Sequence, residues 1–306
     1  MYKVILIIFM IIWGSINVYD SSFIRFFYYR FLPIEKIAKL DFISDENLQA
    51  GKLEMSKHKV VFAGITRSNA PHLPNAIRHI EYIGQFFSDY RIIIFENDST
   101  DSTKLMLNLW QLINHKVKII SQDFFNQKRP SIKFLADIRN KYLEILNTSE
   151  FDKFDIVIIL DMDIGYGIDV RGILDSFSKI DRWDVICSNG IFNSQGQMYD
   201  AFAFRNEEFF DTPAEYNLKT GQNYYPTENI SPMQKIYLPD SDLLPVNSCF
   251  NSLAIYKRKF FENCSYDSIK EDCEHVYLHE CMRSKHNARI FMNPAQIIRY
   301  EHYNAR

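Results

Sequence analysis

The sequence is short of the signatures that assign a function at sight. No G-x-G-x-x-G follows its first hydrophobic strand, where the turn reads Gly64-Ile-Thr-Arg-Ser-Asn69, so a dinucleotide-binding dehydrogenase has no support. No C-x-x-C pair occurs among its 5 cysteines, an odd number. The late cluster Cys264, Cys273 and Cys281 allows one local disulfide if the compartment is oxidising. Neither sign of charge is in excess: a net charge of −3 gives no basic field, which argues against nucleic acid as a partner. Internal repeats and low-complexity tracts are absent. Nor is there an apolar run of the roughly 20 residues that a full membrane span prefers.

The longest apolar run, Val4 to Trp13 after Lys3, is about half that length and becomes a marginal span only if continued to Tyr19. The following stretch, Phe23 to Leu32, is aromatic and carries Arg25 and Arg30, which suits a stem lying against an interface. We read residues 1–20 as an uncleaved signal anchor, 21–57 as a stem or linker and 58–306 as the main domain. A removed signal peptide and a buried N-terminal helix remain as alternatives. The anchor reading implies a single-pass, type II membrane protein of the Golgi or endoplasmic reticulum lumen, in a eukaryotic or viral-host setting. Asn147, Asn229 and Asn263 head glycosylation sequons, a pattern short enough to arise by chance.

What is present is a core and a repeating pattern. The 306 residues are 47% apolar, enough for one sizeable α/β domain. Lys59–Thr66 reads as a first strand, followed by Asn69 as a helix cap with Pro71 in the first turn, and by a helical stripe of Leu73, Ile77, Ile80 and Phe87. Arg91–Phe95 is a second strand and ends in Glu96-Asn-Asp-Ser-Thr-Asp-Ser-Thr103, which opens a helix with Leu105, Leu109 and Leu112 on one face. Lys116–Ile120 is a third strand, and a helix over Ile132–Leu146 buries Leu135, Ile138, Tyr142 and Ile145. This alternation predicts a Rossmann-like, mostly parallel sheet flanked by helices. Later segments read as strands over 183–190, 199–205, 251–257 and 288–292, with a helix over 271–282 and an aromatic, loop-rich wall over 206–245.

The most informative stretch is Phe154-Asp-Ile-Val-Ile-Ile-Leu-Asp-Met-Asp-Ile164. Its β-branched run, apolar on both faces, reads as a central strand, and it ends in Asp161 and Asp163. Residues two apart on an extended chain point the same way, so both carboxylates can share one ion. Ligands of open α/β sheets lie beyond the carboxyl ends of the strands. Hard anionic oxygens there suit Mg²⁺ or Mn²⁺ holding a phosphorylated substrate, for which a nucleoside diphosphate is the natural choice. Other strand ends supply partners: Arg67 for base, ribose or phosphate, and Glu96 and Asp98 for ribose hydroxyls or a base edge. Arg139, one position off its helix's buried stripe, can face the same end. Taken singly, each arginine reads as a solvated charge, and Asp98 and Asp101 as helix caps; their joint occurrence at successive strand ends favours a site.

With these residues in place, the chain resembles GT-A-type glycosyltransferases: the Thr-Arg-Ser-Asn turn, Glu96-Asn-Asp-Ser-Thr-Asp101, Arg139-Asn140 on a helix, and a strand ending Leu-Asp-Met-Asp163. Tyr199-Asp200 with Arg205, Asn247-Ser-Cys-Phe-Asn251, and Cys273-Glu-His-Val-Tyr-Leu-His279 through Met292-Asn-Pro294 are similar to the fungal capsule-associated α-1,3-mannosyltransferase family. The likeness covers roughly residues 59–302. It implies a GT-A fold and transfer of mannose or another hexose from GDP-mannose or a UDP-sugar to a hydroxyl on a glycan, lipid or protein. It further implies that Asp163 binds Mn²⁺ (or Mg²⁺), that Asp161 contacts ribose or a metal-bound water, and that His302 completes the metal or diphosphate site. An inverting reaction needs a base for the acceptor hydroxyl; Asp272 and Glu274 are candidates, with Asp200 behind them. Asp272 and Glu274, two apart on a helix, do not share a face, so at most one serves.

Two rivals are weighed against this. A dehalogenase-type phosphatase would use Asp161 as nucleophile, but that signature opens its domain and has Thr or Val where Gly165 stands. A non-catalytic GT-A-fold binding protein is opposed by the intact set of acidic and basic residues. His275 and His279 lie one turn apart, yet Val276 follows the first, so H-E-x-x-H is absent and packed histidines are expected. Asp240-Ser-Asp242 has no apolar strand before it and reads as loop.

Overall fold

A computed structural model gives the fold and describes residues 34, 40–125, 131–165, 167–191, 198–207, 236–267 and 272–299. The expected anchor, Asn229, most of the aromatic wall and His302 lie outside the described residues. In chain order the elements are α1 (Asp45–Met55), β1 (Lys59–Thr66), α2 (Leu73–Gly84), β2 (Asp89–Glu96), α3 (Thr103–Ile113), β3 (Val117–Ser121), α4 (Ile132–Leu146) and β4 (Ile156–Leu160). They continue with β5 (Gly167–Ile168), α5 (Val170–Ser178), β6 (Val185–Ile191), β7 (Leu244–Pro245), β8 (Leu253–Lys257), α6 (Glu274–His286) and β9 (Ile290–Arg299).

The strands form one sheet in the order β3-β2-β1-β4-β8-β6-β9-β5, with β7 on β9. The first four are mutually parallel, as the alternation predicts. Beyond β4 the sheet is mixed: β8 runs antiparallel to both β4 and β6, β6 is parallel to β9, and β5 and β7 are antiparallel to β9. The expectation of a mostly parallel sheet therefore holds for one half only. Hydrophobic runs report burial but not direction, so the strand expected over 251–257 was legible as β8 but its antiparallel place beside β4 was not.

Period-two alternation along the strands builds a core on each face. Val60, Phe62, Ile92, Ile94, Ile156 and Ile158 meet Ile77, Ile80, Met106, Trp110, Ile173 and Phe177 of α2, α3 and α5. Val61, Ala63, Ile93, Val157 and Ile159 meet Ala136, Tyr142 and Leu146 of α4, and Leu278 and Met282 of α6. Each large side chain so buried contributes about 1.5–3 kcal/mol, which fixes β4 between two layers and leaves only its carboxyl tip for chemistry.

Several local expectations change. The second helix starts at Leu73 with Pro74 in its first turn; Asn69 does not cap it, because its amide is used elsewhere. On α3, Leu105 and Leu112 face outward and Met106, Leu107 and Trp110 are the buried stripe. Residues 199–205 form turns instead of a strand: Tyr199 N–H donates to the Gly190 carbonyl of β6 at 2.8 Å, and Arg205 makes an isolated bridge with Ser248. The late helix begins at Glu274, three residues beyond the expected start, and the last strand runs on to Arg299. Within the stretch read as stem, α1 is capped by Ser44 and packs on α5, where Gly51 lets the Leu174 carbonyl approach: a Cβ would stand 1.9 Å from that oxygen. No helix among the described residues is long and apolar enough to cross a membrane.

Candidate active site

The chain winds outward from β1 to β2 to β3, and then α4 carries it back to β4 on the other side of β1. This reversal opens a crevice at the carboxyl ends of β1 and β4. The loops around it are sewn together. Asn69 Nδ2 donates to the Met162 carbonyl at 2.6 Å, and its backbone N–H donates to Thr103 Oγ1 at 2.7 Å. Ala70 N–H reaches Asp101 Oδ2, Ser68 N–H reaches Ser99 Oγ, and Asp101 Oδ1 also accepts from Thr103 N–H at the start of α3. Ser68 takes a left-handed φ of 45° to make this turn. Gly64 on β1 lets the end of β4 come close, since a Cβ there would lie 2.9 Å from the Leu160 carbonyl and 3.3 Å from the Met162 thioether.

Asp161 and Asp163 flank Met162, which is buried, while both aspartates remain partly open. The Asp161 N–H donates to the Ser252 carbonyl at 2.9 Å, tying the tip of β4 to the segment that leads into β8. Arg139 from α4 faces the pair, with Nη2 at 3.6 Å from Asp161 Oδ1 and Nε donating to Glu274 Oε1 at 2.9 Å. Burial first, and the neighbouring Asp163 second, push the Asp161 carboxyl up to about 8; Arg139 opposes them, and Asp200 and Glu274 add to them. Several carboxylates around one guanidinium leave the corner electron-rich, which is a donor set for a hard divalent cation. Asp161 and Asp163 fit Mn²⁺ or Mg²⁺ as the two-carboxylate, partly hydrated kind of site that accepts substrate phosphates; no three-residue ligand cluster occurs among the described residues.

Arg139 is nearly closed off from solvent and lies between aromatic rings. Its Cζ is 5.3 Å from the Phe250 ring centre and 5.8 Å from that of Tyr266. Its Nη1 is buried and has no hydrogen-bond partner. Behind Phe250, His275 stacks at 3.8 Å, and burial holds its pKa well below the ordinary value. Burial also brings His279 down to about 3, so a neutral ring sits between Ser248 Oγ at 2.9 Å and Tyr256 Oη at 3.0 Å. Both histidines are packed residues, as expected.

The sequence profile of the family described as Cryptococcal mannosyltransferase 1 matches residues 59–287. The chain belongs to this family. No curated protein matches it. Solved structures similar to it include GalNAc-T7 with UDP, GalNAc and Mn²⁺ (13% identity, 80% of this chain and 44% of that one, TM-score 0.48). They also include TarS 1–349 of S. aureus (13%, 79% and 60%, 0.46) and the mannosyltransferase PcManGT of Pyrobaculum calidifontis with GDP-Man and Mn²⁺ (12%, 91% and 65%, 0.46). The chain thus spans less than two thirds of each of these structures.

In this member of the mannosyltransferase family the remaining candidate residues divide. Asp98, at φ 50°, accepts from the Phe124 and Phe125 N–H groups at 2.8 Å each and from Asn97 Nδ2. Desolvation would raise its pKa, but these bonds and nearby Arg67 outweigh it and hold the carboxyl low. Asp98 and Arg67 both stay at the rim of the crevice. Glu96 is fully buried: it accepts from Ser99 N–H and Ser121 Oγ, so it supports the loops and offers no surface to a ribose. Asp272 pairs with Arg205 at 2.8 and 3.0 Å and lies ahead of α6, not on it. Glu274 is buried against Arg139, so the two candidate bases hold different arginines. Asp200 accepts from Asn251 and Ala203 N–H, and burial raises its pKa. Asp242 pairs with Arg182 in an exposed loop.

Sequence reasoning gave Asn69 the role of a helix cap and Phe250 only a place in a family motif, and it missed Tyr266 and Ser252, which act through a ring and a backbone carbonyl that carry no pattern. Four of the five cysteines form two disulfides, Cys187–Cys249 and Cys264–Cys281, and the first was not foreseen because its partners are 62 residues apart. Cys273 is the free thiol, buried, and desolvation raises its pKa. A cleft of about 520 Å³ lies at the amino end of β4, lined by His58, Asp155, Lys257 and Arg258. It is at the wrong end of the parallel strands for the chemistry above.

Proposed function

We propose that this chain is a metal-dependent transferase that moves a hexose, mannose foremost, from a nucleoside-diphosphate sugar to an acceptor hydroxyl. The observation that carries the reading is one juxtaposition: the Asp161–Asp163 pair at the switch-point crevice, with the Arg139 guanidinium 3.6 Å from Asp161. The family supports mannose as the sugar; GDP would be its carrier, with a UDP-sugar as the alternative.

Asp163 and Asp161 would hold Mn²⁺ or Mg²⁺, with His302 as a further ligand. Such an ion stabilises the charge that develops on a departing diphosphate. The Arg139 guanidinium would donate a charge-assisted hydrogen bond to a phosphate oxygen from the edge that lies next to Asp161. Arg67 and Asp98 at the rim take the nucleoside. For an inverting transfer Asp200 is the favoured base: it is partly open and burial raises its pKa, whereas Asp272 and Glu274 are committed to arginines. The N-terminal segment would tether the domain to a lumenal membrane face, with a glycan, lipid or protein as acceptor.

Thermal-shift titration of the full chain with GDP and UDP, with and without Mn²⁺, tests the reading. A rise in Tm that needs nucleotide and metal together is expected. A phosphoenzyme on Asp161 would instead favour phosphatase chemistry, and no response to any nucleotide would leave a binding scaffold.

A further inference from the structure

Arg139 is held by groups that reach it from distant parts of the chain, and the rings on its two sides come from segments tied by disulfides. Phe250 directly follows Cys249, which is bonded to Cys187 on β6. The same segment supplies the Ser252 carbonyl that accepts from Asp161 N–H, and the Asn251 N–H that donates to Asp200 at 3.1 Å. Tyr266 lies two residues past Cys264, which is bonded to Cys281 on α6, and α6 also carries Glu274. Tyr266 is further clasped to α4 beside Arg139: Asn140 Nδ2 donates to its carbonyl and Asn140 Oδ1 accepts from its N–H, both at 2.9 Å. Its hydroxyl meets Tyr142 Oη at 2.8 Å.

Helix α6 has few apolar residues with which to anchor itself; Leu278 and Met282 are the large aliphatic ones that it buries. Besides these two, α6 is held by the stack of His275 on Phe250, the bonds of His279 to Ser248 and Tyr256, the Arg139–Glu274 pair and the covalent tie. A bond closing 17 residues restrains that local segment directly.

We propose that Phe250 and Tyr266 are positioning residues for Arg139, and that the two disulfides fix those rings so that the guanidinium edge next to Asp161 is presented to the diphosphate of the substrate. This rests on the reading of the crevice as a nucleoside-diphosphate site. The rings act through the guanidinium, by cation–π contact and by barring water from its faces. Loss of a wall lets the guanidinium turn toward solvent and away from the phosphate. The effect therefore belongs to phosphate affinity and not to recognition of the nucleoside.

The test compares the full chain with Cys264→Ser/Cys281→Ser, Tyr266→Leu and Tyr266→Phe, by calorimetric titration at a temperature where circular dichroism shows each fully folded. Ligands are GDP with Mn²⁺, UDP with Mn²⁺, inorganic pyrophosphate with Mn²⁺, and guanosine or uridine alone. Expected are losses of about tenfold in nucleotide and pyrophosphate affinity for the disulfide variant and Tyr266→Leu. Nucleoside affinity stays unchanged, and Tyr266→Phe remains within about twofold because the ring is kept. Wild-type affinity in folded Tyr266→Leu overturns the proposal while leaving the transferase reading intact. An equal loss for nucleoside and pyrophosphate also overturns it. Should the disulfide variant fail to fold, the two Tyr266 variants decide. A wild-type chain that binds neither nucleotide nor pyrophosphate overturns both readings.

Discussion

Asn69 Nδ2 donates to the carbonyl of Met162 at 2.6 Å, so the loop after β1 holds the turn that separates the two site aspartates. The bond is buried and joins residues 93 apart in sequence. It sets the direction in which Asp161 and Asp163 leave the end of β4.

Asn69→Ala leaves the Met162 carbonyl without that donor and frees the turn. The expected cost is about 1–3 kcal/mol in urea unfolding. Mn²⁺-dependent nucleotide affinity falls with it, as read by titration of the folded variant. Unchanged affinity would show that the turn is held by Gly64 and packing alone.

Asp163→Ala removes one of the paired carboxylates. Transfer and metal-dependent nucleotide binding are lost and the circular dichroism spectrum is kept, because the side chain is partly open and carries no core packing. Asp161→Asn also loses binding, yet its metal-free form melts higher than wild type, since a charge disfavoured by burial and by Asp163 is gone. A lower Tm in that variant would contradict the electrostatic account.

Glu274→Gln keeps the shape of the Arg139 pair and removes its charge. With both groups buried, the guanidinium is left under-compensated, and a loss of about 2–3 kcal/mol is expected by denaturant unfolding. Donor affinity drops because Arg139 is no longer fixed. A pure loss of turnover with affinity and stability intact would return Glu274 to the role of base.

His58 lies between Asp155 Oδ2 at 2.5 Å and Glu54 Oε1 at 3.2 Å, joining α1 to the loop before β4. The hydrogen bond that its ring donates to Asp155 is the main cause of its raised pKa, with burial opposing and Glu54 adding. A raised histidine pKa contributes stability that is complete below the unfolded value of 6.5 and is lost as pH rises through the folded one. Asp155 and Glu54 are held below their ordinary 3.8 and 4.5, so their share is present above those values and is lost in acid. Tm should therefore peak in the mildly acidic range and fall toward alkaline pH. His58→Gln flattens the alkaline limb in a Tm series from about pH 5 to 9; a parallel curve would remove the clamp as its cause.

The sequence by itself determined the first half of the sheet and placed two aspartates at the carboxyl end of its strand β4. The boundaries of α4 and the run Ile156–Leu160 were legible because helices and strands write their burial at fixed local periods. Asp161 and Asp163 stood out because carboxylates directly after such a run have nowhere to go but the sheet's carboxyl end. Arg139 was singled out for lying off the expected stripe of Leu135, Ile138, Tyr142 and Ile145, but it lies on the buried stripe itself, with Ile132, Ala136, Leu143 and Leu146, while Leu135 and Ile145 are only half-buried. On α3 the same logic failed, since leucines at 105, 109 and 112 and the buried Met106, Leu107 and Trp110 fit a helical face equally well, and only the sheet beneath chooses between them.

Tertiary structure alone decided what surrounds the aspartates. Arg139 meets Glu274 across 135 residues, and Phe250 and Tyr266 enclose it from opposite ends of a segment no periodicity connects. The antiparallel insertion of β8 brings Ser252 to Asp161, and it follows from strand pairing between apolar runs that look alike in either direction. Local pattern states which side chains seek burial; which of them meet, and which carboxylate is taken up by an arginine and which stays partly open, is settled when distant segments compete for the same space.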